Sequence, residues 1–144
     1  MKKSLVIAII AALAYGYLHL QGVSVPEPSS SAQDSDSALQ AAYRNQQSNL
    51  QITGDGIVVR VLPDDNIGSR HQKFIVRTAT GLSLLVSHNI DLAPRVPGLK
   101  PGETIAFSGE YEWNSKGGVI HWTHHDPKNI HAGGWLKYSG KLYQ

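Results

Sequence analysis

The sequence predicts an all-β domain: a small five-stranded antiparallel OB-like barrel preceded by an export segment, a linker and one short helix. Three observations carry this. From Gln51 onward apolar residues recur with a period of two, the spacing of a half-buried strand rather than a helix. Glycine-containing loops cut that stretch into segments of strand length. The order of three meandering strands, a long connection and a final hairpin is that of an OB-fold, here without the usual helix between the third and fourth strands. A β-sandwich and a half-open SH3-like barrel also fit the pattern.

Length sets the ceiling on what can be built. A chain of 144 residues, 41% hydrophobic and 17% charged, suits one ordinary domain with one modest core. The formal charge is +2, and Lys2 and Lys3 account for the whole excess of 13 basic over 11 acidic residues. The rest of the chain is balanced, so charge gives no support to nucleic acid as a partner. Cysteine is absent, which excludes disulfides, thiolate metal sites, a cysteine nucleophile and a lipid-modified cysteine anchor.

Residues 1–20 read as a signal peptide or a membrane anchor. Met1, Lys2 and Lys3 form a basic start, and Ser4 to Leu13 an apolar run of secretory type. Ala12-Leu13-Ala14 offers an A-x-A cleavage site, whereas reading on to Leu20 gives about 16 apolar residues, just short of a comfortable span. Either way the lysines stay inside and the domain faces outward. The expected location is therefore periplasmic or otherwise extracytoplasmic, secreted or tethered to the inner membrane, with the membrane itself a partner if the segment is uncleaved.

Residues 21–36, with Pro26, Pro28 and the run Ser29-Ser30-Ser31, read as a flexible linker. Residues 37–144 are the domain. Ser37 and Gln40 are spaced as a capping box, and Leu39, Tyr43 and Gln46 make a thin apolar stripe, predicting a helix over about residues 38–48.

The first strand is Ile57 to Leu62, entered through Gly54 and Gly56. His71 to Thr78 and Leu82 to Ile90 form a hairpin around Ala79-Thr80-Gly81, whose glycine suits the left-handed third position of a three-residue loop. That loop sets Val76 opposite Leu84, Phe74 opposite Val86 and Gln72 opposite His88, with His71 and Asn89 paired on the other face. After the proline-rich connection Asp91 to Gly102, Thr104 to Trp113 and Gly118 to His124 form a second hairpin. Its register puts Tyr111 opposite Ile120, Gly109 opposite Trp122 and Glu110 opposite His121. The core predicted from both hairpins is Phe74, Val76, Leu84, Val86, Phe107, Ile120 and Trp122.

The strings Asp64-Asp65-x-x-Gly68-Ser-Arg-His71-Gln72-x-Phe74, His88-Asn-Ile-Asp-Leu-Ala-Pro-Arg95, Gly109-Glu-Tyr-Glu-Trp113-Asn and Gly117-Gly-Val-Ile-His-Trp-Thr-His-His-Asp-Pro127 resemble a bacterial family of short exported proteins, a domain of unknown function. The resemblance covers about residues 50–144. It implies export and a single small domain, and it brings no activity, cofactor or catalytic assignment.

Six of the seven histidines, at 71, 88, 121, 124, 125 and 131, lie in the last 74 residues, and imidazole is both a metal ligand and a near-neutral acid or base. His124, His125, Asp126 and His131 form a candidate metal set; the cofactor is open, a divalent ion being what such ligands could take. His88, Asn89, Asp91 and Arg95 offer acceptor, donor, carboxylate and cation within eight residues, an inventory for orienting a phosphodiester or activating water. The ordinary reading of the same residues is local bonding: Gln72 with His88, Glu110 with His121, Asp91 with Arg95. His71, Trp135 and Tyr138 are candidate binding residues, since exposed aromatics on an OB-like barrel stack on bases or sugar rings. The expected function is an exported binding module for an extracytoplasmic polymer or protein partner. The alternative is a metal-dependent hydrolase of phosphodiester bonds using the His/Asp cluster. In both, the functional rim lies where the third and fifth strands end.

Overall fold

The computed structural model describes residues 30–144; the predicted export segment and the linker up to residue 29 lie outside the described residues. A helix, α1 (Ser30–Arg44), is followed by seven strands: β1 (Leu50–Asp65), β2 (His71–Arg77), β3 (Ser83–Asn89), β4 (Thr104–Glu112), β5 (Val119–His121), β6 (Trp135–Tyr138) and β7 (Lys141–Tyr143). They form one mixed sheet in the order β1-β2-β3-β5-β4-β6-β7, and β1 also pairs with β4. Five strands thus close into a ring, while β6 and β7 extend it from β4.

Three expectations are corrected here. The strands number seven rather than five, because the short tail after Gly134 folds back as a hairpin on residues 106–108 of β4. The pairing is not uniformly antiparallel: β3 and β5 run parallel, Leu85 beside Val119 and Val86 beside Ile120. A closed ring with an odd number of strands cannot alternate direction throughout, so one parallel neighbour is a geometric necessity. Finally, α1 begins at Ser30, so residues 30–36 of the stretch read as linker are helical, and Ser37 is no N-cap: its hydroxyl donates to the Gln33 carbonyl within the helix.

The first hairpin has the predicted register throughout, from Arg77 opposite Ser83 to His71 opposite Asn89. Gly81 closes its loop at φ +87°, a conformation an L-residue enters at a cost. The second hairpin also keeps its register at Glu110–His121 and Tyr111–Ile120. The predicted Gly109–Trp122 pair does not form. Trp122 takes φ +54°, which ends β5 at His121 and leaves the indole half-buried instead of in the core. The space beside Gly109 is filled by the His121 carbonyl, Ile120 and Thr123; a Cβ there would lie 2.4 Å from that carbonyl oxygen.

β1 is longer than expected because it serves two partners. Residues 50–57 pair with β4 and residues 57–65 with β2, with irregularities between Val58 and Arg60 and between Leu62 and Asp65 that bend it around the ring. Inside sit Phe74, Val76, Leu84, Val86, Ile105, Phe107, Tyr111 and Ile120, all fully buried. At about 1.5–3 kcal/mol for each large apolar side chain, this interior is the main source of stability.

The two ends of the ring are closed differently, which positions the site. At the hairpin-loop end lies α1: Leu39 and Ala42 are buried in the core cluster, Asp36 accepts a hydrogen bond from the Thr80 backbone, and Trp113 Nε1 donates to the Tyr43 carbonyl. At the other end the connection from β3 to β4 inserts Ala93 and Val96, held by the Gln72 amide, which both donates to and accepts from the Val96 backbone. Gln72 therefore bonds to this connection rather than to His88.

Candidate functional site

Because β3 and β5 are parallel neighbours, their last residues emerge at one rim, and antiparallel pairing of His71 with Asn89 brings the start of β2 there too. Side chains alternate across the wall of the ring. His88 points inward, while His71, Ser87, Asn89 and His121 occupy the outer face. The outer residues, with Ser69, Leu92, Trp122 and His124, line an open concavity of about 270 Å³.

His88 is fully buried and both its ring nitrogens are bonded: Nε2 lies 3.0 Å from the Pro94 carbonyl and Nδ1 2.8 Å from Thr123 Oγ1. A carbonyl only accepts, so Nε2 carries the proton and Nδ1 accepts from the Thr123 hydroxyl. Burial lowers the pKa from 6.5 to about 4, and the nearby His124 and His71 add to this. His88 is thus neutral at ordinary pH, with no lone pair left for water or an ion. It ties β3, β5 and the β3–β4 connection together.

The neighbours expected to act with it are occupied separately. Asn89 Oδ1 accepts the Asp91 backbone N–H. The Asp91 carboxylate takes the Arg70 backbone N–H and Nε, both at 2.7 Å, and these bonds lower its pKa, the backbone one most. Arg95 pairs with Asp64 instead of Asp91. The motif at 88–95 therefore fastens the ends of β1, β2 and β3.

The predicted metal set also divides. His124 is buried, its Nδ1 donating to the His125 carbonyl at 2.8 Å, and His125 is exposed. The Asp126 carboxylate accepts the backbone N–H groups of His131, Lys128 and Ile130, at 2.9, 3.0 and 2.9 Å, which bring its pKa down to about 2. It organises a turn and delivers His131 elsewhere: the imidazole stacks on Trp122 with centroids 4.0 Å apart, and its Nε2 lies 2.5 Å from Glu110 Oε2. Of the predicted binding residues, only His71 reaches the rim concavity. Trp135 lines a second concavity with Thr53 and Asp55, and Tyr138 donates to Glu103 at 2.5 Å.

Sequence reasoning did not single out Glu110, Glu112 or Trp122 as site residues. On the outer face Glu110 and Glu112 lie two residues apart along β4, opposite His121 and Val119. Burial opposes the charge on Glu110, but the hydrogen bond from His131, the contact with Glu112 and the charges of His131 and His121 hold its pKa below 4.5. Burial likewise opposes a proton on His131, and the Glu110 bond reverses this, raising its pKa above 6.5. The signal that could have found the cluster was the hairpin register, which sets Glu-x-Glu against a histidine on one face.

Residues 23–144 match the family described as "Protein of unknown function (DUF3465)", and the chain belongs to that family. No curated protein matches the chain.

Proposed function

We propose that the chain is an exported binding module with an OB-like barrel, periplasmic or otherwise extracytoplasmic, that presents its rim concavity to a polymer or protein partner there. Export is supported by the basic start and apolar run of residues 1–13. The barrel reading is supported by the ring order β1-β2-β3-β5-β4 with β1 closing on β4, the connectivity of OB-folds; the rim as binding surface rests in part on analogy to that fold. The observation that carries the functional reading is the concavity itself, where His71, Asn89 and His121 sit beside the indole of Trp122. Trp122 is held at positive φ, a conformation that costs energy in a bulky residue and clusters at functional sites.

A hydrolase acting through residues 88–95 finds less support, because His88 has no free nitrogen and Asp91 and Arg95 are each paired elsewhere. The test is site-specific photo-crosslinking of the full chain in its native host. A photoreactive residue at Asn89 should trap a partner that the same residue at exposed Lys141 does not, and Trp122→Ala should abolish the product. Equal products at both positions, or none at Asn89, would reject the binding reading.

A further inference from the structure

Glu110, Glu112 and His121 converge on the outer face of β4 and β5, where one imidazole nitrogen is left without a hydrogen bond. His121 Nε2 is shut off from solvent and, among the described residues, is the only buried side-chain nitrogen or oxygen with no hydrogen-bond partner. It lies 3.4 Å from Glu110 Oε1 and 3.8 Å from Glu112 Oε1, and ligand atoms of all three residues lie within 4.8 Å of one another. These separations are too long for N–H···O hydrogen bonds, which fall at about 2.7–3.2 Å. The shorter one suits a different geometry, since an ion held at 2.0–2.2 Å by tetrahedral ligands sets neighbouring ligand atoms about 3.4 Å apart, and a small movement of the half-exposed Glu112 side chain brings the longer one to the same spacing.

We propose that Glu110, Glu112 and His121 bind a divalent ion of the zinc class, with a fourth position open to water or a ligand. One imidazole and two carboxylates are a suitable donor set for such an ion, and two negative charges beside an imidazole lone pair offset its charge. The site has the support shell that metal centres use. His131 holds Glu110 Oε2 at 2.5 Å, leaving Oε1 directed at His121, and His131 is in turn stacked on Trp122. All three ligands are only partly exposed, and they stand on paired β-strands whose register fixes their spacing. The cluster excludes His124, His125 and Asp126; it shares His121 with the rim concavity, but its readout, Zn²⁺ affinity, does not depend on whether a polymer binds there.

The test is calorimetric titration of the full chain, purified without a histidine tag, with Zn²⁺ alone and then with Ca²⁺. The expected result is one equivalent of Zn²⁺ bound at micromolar concentrations and no comparable heat with Ca²⁺. Glu112→Gln, an isosteric change at a half-exposed position, should weaken Zn²⁺ at least about tenfold, as should His131→Ala through Glu110. His125→Ala should leave binding unchanged. Absence of stoichiometric Zn²⁺ binding, or full affinity in Glu112→Gln, would overturn the assignment and leave His121 as an ordinary ion-paired histidine. Loss in His125→Ala would move the site to the His124–Asp126 segment and overturn it equally.

Discussion

His88 and His121 stand on neighbouring parallel strands, on opposite sides of one wall, and they could hardly be more different. The inner histidine has both nitrogens bonded, is sealed from solvent and is held neutral. The outer one presents a nitrogen with no hydrogen bond toward two carboxylates. The contrast teaches that histidine enrichment in a sequence does not mark a site; what marks it is which ring nitrogens remain uncommitted after the backbone and its neighbours have been served. A saturated imidazole stabilises the fold, and an unsaturated one beside converging acceptors is available for chemistry.

The sharpest way to break this contrast is to remove the inner ring. His88→Ala leaves a cavity and strips partners from the buried Thr123 hydroxyl and the Pro94 carbonyl, so urea unfolding should show a loss of about 3 kcal/mol. A loss below about 1 kcal/mol would mean that His88 does not join the strands.

Acid titration sharpens it without mutation. The folded-state pKa of His88 lies below its unfolded value, so the folded protein binds fewer protons. The resulting stability is fully present above pH 6.5 and is lost as the pH falls toward about 4, amounting to on the order of 3 kcal/mol. His131 has the opposite sign. Its raised pKa contributes stability below its unfolded value that disappears as the pH rises through the folded one. The unfolding free energy measured from pH 4 to 8 should therefore rise steeply with pH in the wild type and much less in a folded His88→Gln variant.

A smaller effect is expected on the outer face. His131→Ala removes one bond to Glu110 and one ring stack on Trp122, both partly exposed, so the cost should be about 1 kcal/mol in the same urea assay. The smallest belongs to Arg95→Ala. Its ion pair with Asp64 is partly open to solvent, and the change should stay within about 0.5 kcal/mol by thermal or urea unfolding.

How legible each part was in the sequence follows from the range of the forces involved. The β2–β3 register could be read because a three-residue loop with glycine and strict alternation fix it locally. β1 was underestimated because its second partner, β4, is about fifty residues away, and nothing local marks a strand that changes partner at Ile57. Trp122 was misplaced because one positive φ ends the alternation on which its inward direction depended. For the candidate site, the shared rim at the ends of the third and fifth strands was legible from topology. Its membership was not, since the Asp126 carboxylate is committed to backbone N–H groups, His131's among them, and the His131 ring to Glu110, bonds that only the folded turn reveals. Glu110 and His121 were already paired by register, but the unbonded Nε2 that gives the pair its interest depends on distances of a few tenths of an ångström.

Histidine ring-nitrogen NMR on the full chain, recorded against pH and then with added Zn²⁺, tests the distinction between the two faces most directly. The account predicts that His88 stays in the Nε2-protonated neutral form down to about pH 5 and does not respond to Zn²⁺, while the Nε2 signal of His121 moves with one equivalent of the ion. A His88 ring that titrates near pH 6.5 or shifts with Zn²⁺, or a His121 ring that ignores it, would contradict the account.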